Sequence, residues 1–400
     1  MNENMPIGLY IHIPFCETKC SYCDFNTYSG IENLLPKYIE AICTEIKLWG
    51  HIISSEKINT IFLGGGTPSY IPPESLGEIF QTINEEMDTT QCTEITIESN
   101  PNDLADIKKL EYFREIGINR ISIGIQSFND NHLKKMSRRH SAIEGINAIK
   151  NAESAGFTNI NIDLMFGLPN QTKSEWLKTL EIIPTLPIQH VSIYCLTVEE
   201  NTPLFHQINS GIVANPDQDL AAEMYEITSD FMKQHNFRHY EISNWAKNNM
   251  LCTHNLTYWK NQQFIGIGPG AHSSLFQYRF SNIESPKRYI QKLKLNENFK
   301  KTHIQSENIK EILHSIPTTE NFEKQDSKTM ISDTLIMGLR LDNGININEI
   351  EKKFNIKIEK IFPGKINQLV SQNLILINNN QIKLSEKGKL LGNEVFLNFL

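Results

Sequence analysis

Seven times in the first 250 residues a short β-branched run ends in a turn, and most of these runs lead into an amphipathic stretch of helix length. The runs are Gly8–Pro14, Thr60–Gly64, Glu94–Glu98, Arg120–Gln126, Asn159–Met165, His190–Val198 and His239–Ser243. Helical segments fall between them at Leu34–Trp49, Ser75–Met87, Asp103–Ile116 and Asp217–His235. Ile61-Phe62-Leu63 and the span from Ile121 to Ile125 suit strands buried on both faces. Alternation of this kind builds a parallel sheet with right-handed crossovers. It predicts an α/β fold, a partial or complete parallel β/α barrel. Asp103, ahead of Leu104, Ile107, Leu110 and Phe113, reads as the N-cap of the third helix.

At 400 residues the chain exceeds one ordinary core, since a domain takes ~150 residues. Near residue 300 the composition turns to Lys, Asn and Ile, which divides the chain into a barrel domain, 1–300, and a smaller domain, 301–400. The span from Lys300-Lys301 to Lys328 reads as a polar connection. Helices are expected at Asp333–Leu339, Ile347–Phe354 and Ile366–Gln372, then a hairpin of Leu374–Ile377 and Gln381–Leu384 turning at Asn378-Asn379-Asn380. Ser385 caps a last helix running to Leu400. This order is that of a winged-helix-like α+β module. Residues 341–400 hold eight Lys against six Asp and Glu with no Arg, and the whole chain carries −8, so no nucleic-acid partner is expected. No stretch approaches the ~18 uncharged apolar residues of a membrane span. Met1–Gly8 lacks the basic and apolar regions of a secretion signal, and a cytoplasmic location is expected.

Three of the seven cysteines form Cys16-x3-Cys20-x2-Cys23, directly after the first strand. Cys43, Cys92, Cys195 and Cys252 stand singly, and an odd count in a reducing compartment does not suggest a disulfide framework. One loop can turn three thiolates onto three corners of a [4Fe–4S] cluster, one short of the set that closes it, leaving an iron open. A zinc site completed by His12 or a distant cysteine is the plainer alternative. The second run ends in Gly64-Gly65-Gly66-Thr67-Pro68, later ones in Glu98-Ser99-Asn100, in Gln126-Ser127 and near Asp163, and Arg138 follows. The carboxyl ends of parallel strands share one face, where ligands bind, so these residues should meet at one mouth.

Tyr10-Ile11-His12-Ile13-Pro14-Phe15-Cys16 with its CxxxCxxC spacing resembles the radical S-adenosylmethionine superfamily. Gly64–Pro68, Glu98–Pro101, Arg120–Phe128 and Asn161–Pro169 resemble its branch of oxygen-independent coproporphyrinogen III dehydrogenase and relatives, a likeness extending to Leu384–Gly388. The resemblance implies that Cys16, Cys20 and Cys23 hold a [4Fe–4S] cluster, whose open iron chelates the amino and carboxylate groups of S-adenosylmethionine. It places Tyr10, Tyr22, Gly65, Gly66 and Thr67 against that ligand. Glu98 would receive its ammonium, and Gln126, Arg138 and Asp163 its carboxylate and ribose. Cys195, at a position the family fills with a small residue, reads as packing. No residue is assigned a catalytic role.

Two features select a subgroup. The dehydrogenases carry a fourth cysteine two residues after the third, where this chain has Phe25. His254-Asn255-Leu256-Thr257-Tyr258-Trp259 matches the HNxxYW motif of the heme chaperone group. Imidazole ligates heme iron and aromatic rings stack on the macrocycle, so His254, Asn255, Tyr258 and Trp259 are implied heme contacts. A buried aromatic turn around a hydrogen-bonded histidine is the alternative. Cys252 is a second candidate for iron, Gly266–His272 could line the mouth, and His51, His140 and His206 read as surface groups. The implied function is to bind heme and deliver it to acceptor hemoproteins, respiratory enzymes among the candidates, with an electron-donor protein serving the cluster. The resemblance admits a dimer and a peripheral membrane contact. An oxidoreductase that decarboxylates propionates of coproporphyrinogen III is the rival reading, and a zinc-stabilised scaffold with a DNA-reading tail the third.

Overall fold

The computed structural model describes residues 6–295 and 309–400. The reading of Met1–Met5 as free of a secretion signal, and the first part of the polar connection, up to Asn308, lie outside the described residues; the rest of that span, up to Lys328, is not a mere connection but folds as helix Ile309–Ser315 and a strand, Thr319–Lys324, that joins the sheet of the first domain.

Twelve strands form one sheet: β1 (Ile7–Ile13), β2 (Ile58–Gly65), β3 (Glu94–Ser99), β4 (Arg120–Gln126), β5 (Ile160–Phe166), β6 (His190–Cys195), β7 (Arg238–Glu241), β8 (Asn244–Ala246), β9 (Phe264–Ile267), β10 (His272–Leu275), β11 (Tyr278–Asn282) and β12 (Thr319–Lys324). The first six pair in chain order and in parallel, and β9 joins them in parallel beyond β1. The sheet runs from an edge at β12 to an edge at β7, so the parallel barrel is a partial one. Ile7, Leu9, Ile11 and Ile13 of β1 are fully buried. Being two apart they share one face of the sheet, and on the opposite face Gly8 and His12 are buried while Tyr10 reaches the cavity.

Three local expectations change. The seventh run, His239–Ser243, is not a further parallel strand. It turns back on itself as the β7–β8 hairpin, antiparallel to β6, because no helix separates it from its partner. The third helix is Ile107–Glu115, capped by Asp106, whose side chain accepts from the Lys108 amide. Asp103 sits in the preceding 3₁₀ turn and accepts from Ser69 Oγ at 2.8 Å. His140 is buried rather than at the surface: its Nε2 meets the Ile125 carbonyl oxygen at 3.0 Å, and burial lowers its pKa to about 4.

Helix Leu35–Ile52 carries a buried carboxylate, Glu45, that pins the sheet's outer strands. It accepts from the Gly268 amide (2.8 Å), Asn282 Nδ2 (2.8 Å), Tyr289 OH (2.6 Å) and Thr318 Oγ1 (2.7 Å). A Gln there turns one acceptor into a donor facing donors. Glu45→Gln is expected to cost about 2 kcal/mol, read as a lowered urea midpoint, and an unchanged midpoint would contradict this latch.

The C-terminal module packs a second core around Leu335, Ile358, Leu369 and Phe399. Helices Ser327–Gly338, Ile347–Phe354 and Lys365–Ser371 precede β14 (Ile375–Asn378) and β15 (Gln381–Leu384), and β13 (Ile345–Asn346) completes a small antiparallel sheet as the wing. Asn379 and Asn380 have φ of 48° and 64°, the left-handed pair of a tight hairpin turn. Ser385 caps its helix as expected, but that helix ends at Leu390 and a separate turn starts at Gly392. The module docks on the β7–β8 edge through Ile242 N to Arg340 O (3.1 Å) and Asp342 N to Tyr240 O (3.0 Å).

Candidate functional site

The chain leaving β1 doubles back to form a closed loop: the Cys16 amide donates to Tyr28 O (2.9 Å) and the Tyr28 amide to Pro14 O (2.8 Å). Cys16, Cys20 and Cys23 lie on this loop and line one cavity of about 530 Å³ at the carboxyl ends of the parallel strands. Burial raises the Cys16 and Cys23 thiol pKa values. The end of β2 packs against the same loop, with Gly66 N on Ile13 O and Thr67 N on Phe15 O, both at 2.8 Å. Gly65 has φ of +110°, and a Cβ there would meet the His12 ring at 2.5 Å. A Cβ on Gly66 would meet Phe15 O at 2.6 Å. The glycines therefore serve the close approach of two backbones as well as exposing N–H groups at the cavity.

Tyr10, Tyr22, Gly65, Gly66, Thr67, Glu98, Gln126, Arg138 and Asp163, all picked from the sequence, line this cavity. Glu98 accepts from the Gly65 amide at 3.1 Å. Burial, and then the neighbouring Asp163 charge, raise the Glu98 pKa to about 7. Asp163, also raised by burial, accepts from Asn161 Nδ2 (2.8 Å) and Ser122 Oγ (3.2 Å). Gln126 has φ of +66°, at a register shift between β4 and β5. A non-glycine residue held there marks a backbone shaped for its site. Arg138 donates through Nη2 to Asn100 Oδ1 and to Gly124 O, both at 2.5 Å, and Nη1 lies 3.4 Å from Cys20 Sγ.

Asn100, read as part of a strand end at the mouth, lines the cavity as expected, whereas sequence reading missed Arg120, Ser122, Asn161, Ser192 and Tyr194, which line it too. The signal was present: Arg120, Ser122, Gly124 and Gln126 alternate along β4, as do Asn161, Asp163 and Met165 along β5. Residues two apart share a face of the sheet. Cys195, expected to be packed, is exposed on the cavity wall at the end of β6.

The His254 motif divides. Asn255 and Tyr258 line the cavity with His254. His254 is fully buried with both ring nitrogens engaged, Nδ1 with Thr60 Oγ1 and Nε2 with Tyr258 OH, each at 2.8 Å. Burial lowers its pKa to about 3, so the ring is neutral. Ligating an iron would cost one of these bonds. Trp259 does not line this cavity, and its ring lies 4.6 Å from the Arg340 guanidinium of the C-terminal module. Cys252 is buried beside Glu94, with burial raising its pKa to about 12. His272 is exposed at a neighbouring opening with Gly270.

The donor chemistry fits a cubane better than a single ion. Among the described residues no three His, Cys, Asp or Glu side chains converge on one metal position. A cubane takes one thiolate on each of three separate irons. His12, the proposed fourth zinc ligand, already meets Tyr10 OH (3.1 Å) and Asn26 O (2.9 Å). Ser99 and Arg120 line the cavity, and their Oγ and Nε atoms are buried without a hydrogen-bond partner.

The radical SAM superfamily model matches residues 10–183 and the HemN C-terminal domain model residues 325–391. The chain is 35% identical over 392 residues to the heme chaperone HemW of Bacillus subtilis, covering 98% of each. It is 32% identical over 397 residues to heme chaperone HemW of Lactococcus lactis, covering 99% of this chain and 97% of that one. Identity to the mitochondrial radical S-adenosyl methionine domain-containing protein 1 of Mus musculus is 32%, over 98% of this chain and 87% of that one. Among solved structures, coproporphyrinogen III oxidase (HemN) of Escherichia coli superposes with a TM-score of 0.83 at 20% identity, over 99% of this chain and 90% of that one. At that identity the match speaks for the fold.

Proposed function

The chain belongs to the heme chaperone HemW family, on a radical SAM fold, and from that premise we propose that it binds heme and passes it to acceptor hemoproteins. The observation that carries this reading is the near full-length identity to curated heme chaperones, spanning the cluster loop and the C-terminal module together. Phe25 agrees with it: 64% exposed at the cavity mouth, it presents an apolar ring where the dehydrogenases place a fourth cysteine.

Family membership implies a [4Fe–4S] cluster and S-adenosylmethionine, and the cavity residues suit both. Cys16, Cys20 and Cys23 would supply the thiolates, and Arg138 beside Cys20 would offset their charge. Such a cluster supplies one-electron reduction at an open iron. Glu98 would accept from the amino group of S-adenosylmethionine and Asp163 from its ribose, while Gly65, Gly66, Thr67 and Gln126 present backbone and amide groups and Tyr10 and Tyr22 close the sides. With both nitrogens engaged, His254 would hold Tyr258 and the cavity wall in place rather than ligate iron. Among the described residues no helix is long and apolar enough to cross a membrane, which is compatible with a cytoplasmic location. An electron-donor protein would serve the cluster from the exposed mouth.

Hemin added anaerobically to reconstituted protein is expected to give a saturable Soret band and then to move to an apo-hemoprotein. Absence of saturable binding would defeat the chaperone reading and favour a coproporphyrinogen III turnover assay. Cys16→Ser and Cys20→Ser are expected to lose the brown chromophore after reconstitution. Full iron and sulfide in either variant would remove that thiolate from the ligand set.

A further inference from the structure

Beside the cluster loop a second opening of about 770 Å³ continues from the main cavity, with Tyr10, Glu98 and Tyr258 lining both. Its volume lies within the ~300–1,000 Å³ of ligand sites. Phe25 on the cluster loop and Phe264 of β9 supply aromatic walls, and Phe264 meets the Tyr258 ring edge to face at a centroid distance of 4.7 Å. Aromatic walls of this kind suit a flat conjugated ligand. Two imidazoles line the opening. His12 is buried, with Nδ1 on Tyr10 OH (3.1 Å) and Nε2 on Asn26 O (2.9 Å). His272, on β10, is exposed, and among the described residues no hydrogen bond, ion pair or ring contact engages its side chain. An exposed imidazole with both nitrogens free takes a metal without giving up a bond.

We propose that this opening receives the heme, with His272 as an axial ligand, the macrocycle against Phe25 and the Tyr258–Phe264 wall, and the propionates directed out to solvent. The proposal rests on the heme-chaperone reading above and adds a place to it. Charge sets the orientation. Asp24 and Glu284 are exposed at the rim, and Glu98 is shared with the main cavity. These carboxylates disfavour propionates turned inward, which leaves the apolar edge of the macrocycle to enter first. Lys19, on the same opening, donates to Phe25 O (2.9 Å) and Thr27 O (3.3 Å) and keeps a third N–H for a propionate. The neighbouring His254 has both ring nitrogens engaged and would have to break a bond to ligate iron; His272 would not.

The placement also couples heme to the cluster loop. Asn26 donates through Nδ2 to Pro269 O and to Glu284 O, both at 3.0 Å, and its Oδ1 accepts from Tyr28 OH (2.8 Å). Pro269 belongs to the turn that leads into His272 at the start of β10. One side chain thus fastens the loop that carries Cys23 and Phe25 to the turn that carries His272. A loop ordered around a cluster would set the spacing of both heme contacts.

The test is an anaerobic hemin titration of the reconstituted full chain, comparing wild type with His272→Ala, Phe25→Ala and His51→Ala, with cluster content and thermal melting as controls for folding. His272 and Phe25 are exposed, so truncating either leaves the core intact. Removing a group that merely hydrogen-bonds a metal ligand costs about 10–100-fold in affinity. Removing the ligand in His272→Ala is therefore expected to weaken binding about tenfold or more and to shift the Soret band, and added imidazole should restore the wild-type band. Phe25→Ala should weaken binding without moving the band. His51, exposed on helix Leu35–Ile52, lines neither opening, and His51→Ala should match wild type. Wild-type affinity and band in His272→Ala overturn the site and leave the chaperone reading standing. No saturable binding by wild type defeats that reading, and this inference with it.

Discussion

Reconstituted protein is expected to bind S-adenosylmethionine about tenfold more weakly at pH 6 than at pH 8, a linkage effect of one carboxyl group. Glu98 is that group. In the ligand-free cavity its pKa stands at about 7, because burial and then Asp163 penalise its charge, while the Gly65 amide and Arg120 only partly offset them. Tyr10, Tyr194 and Tyr258 also face it, and all stay neutral across this range because burial raises their pKa values. A ligand bearing a sulfonium and amino N–H donors needs the carboxylate ionised. Affinity is therefore full above the free-site pKa and falls about tenfold per pH unit well below it. Glu98→Gln removes the titrating group. It should weaken binding roughly tenfold or more at pH 8, the value of a charge-assisted hydrogen bond, and flatten the pH profile. Asp163→Asn should move the midpoint to lower pH by removing the repulsion. Calorimetric affinity at three pH values decides it, and a flat wild-type profile would take Glu98 out of contact with the ligand.

The sequence carried the parallel frame and the mouth of the site because both are written in local pattern. Runs such as Ile121 to Ile125, repeated between helical segments, suit strands of a parallel sheet, and the carboxyl ends of such strands face one way. The cysteine spacing is read from one loop, and Asn379-Asn380 is read from the backbone conformation asparagine tolerates. What was illegible depends on contacts distant in sequence. Whether His254 is a free ligand or a clamped core group turns on Thr60, nearly two hundred residues away, which takes its Nδ1. Trp259 reads as a heme face until Arg340 is seen stacked on it. Asp103 and Asp106 are both caps by residue type, and only Ser69 decides which of them is used elsewhere.

Arg138→Met is expected to lower stability by about 3 kcal/mol or more and to leave the reconstituted protein with little iron. The guanidinium ties the cluster loop to the barrel wall through side-chain contacts, reaching Cys20 Sγ, Asn100 Oδ1 and the Gly124 carbonyl at once. It fits because position 124 has no side chain: a Cβ there would lie 3.2 Å from Nη2. Met keeps the apolar stem but strands a buried carbonyl and an amide oxygen, each of which costs about 1–3 kcal/mol when left unpaired. It also removes the cation nearest a thiolate, and a cluster anion in a cavity bordered by Glu98 and Asp163 then has little to balance it. Arg138→Lys tests geometry against charge, since one ammonium on a flexible stem cannot span three acceptors in a fixed fork. Lys should therefore recover part of the iron content and little of the stability. Iron and sulfide analysis beside urea unfolding of the cluster-free chain separates the two effects. Full cluster content in Arg138→Met would show that the thiolates alone organise the loop, and that the arginine belongs to the ligand's carboxylate instead.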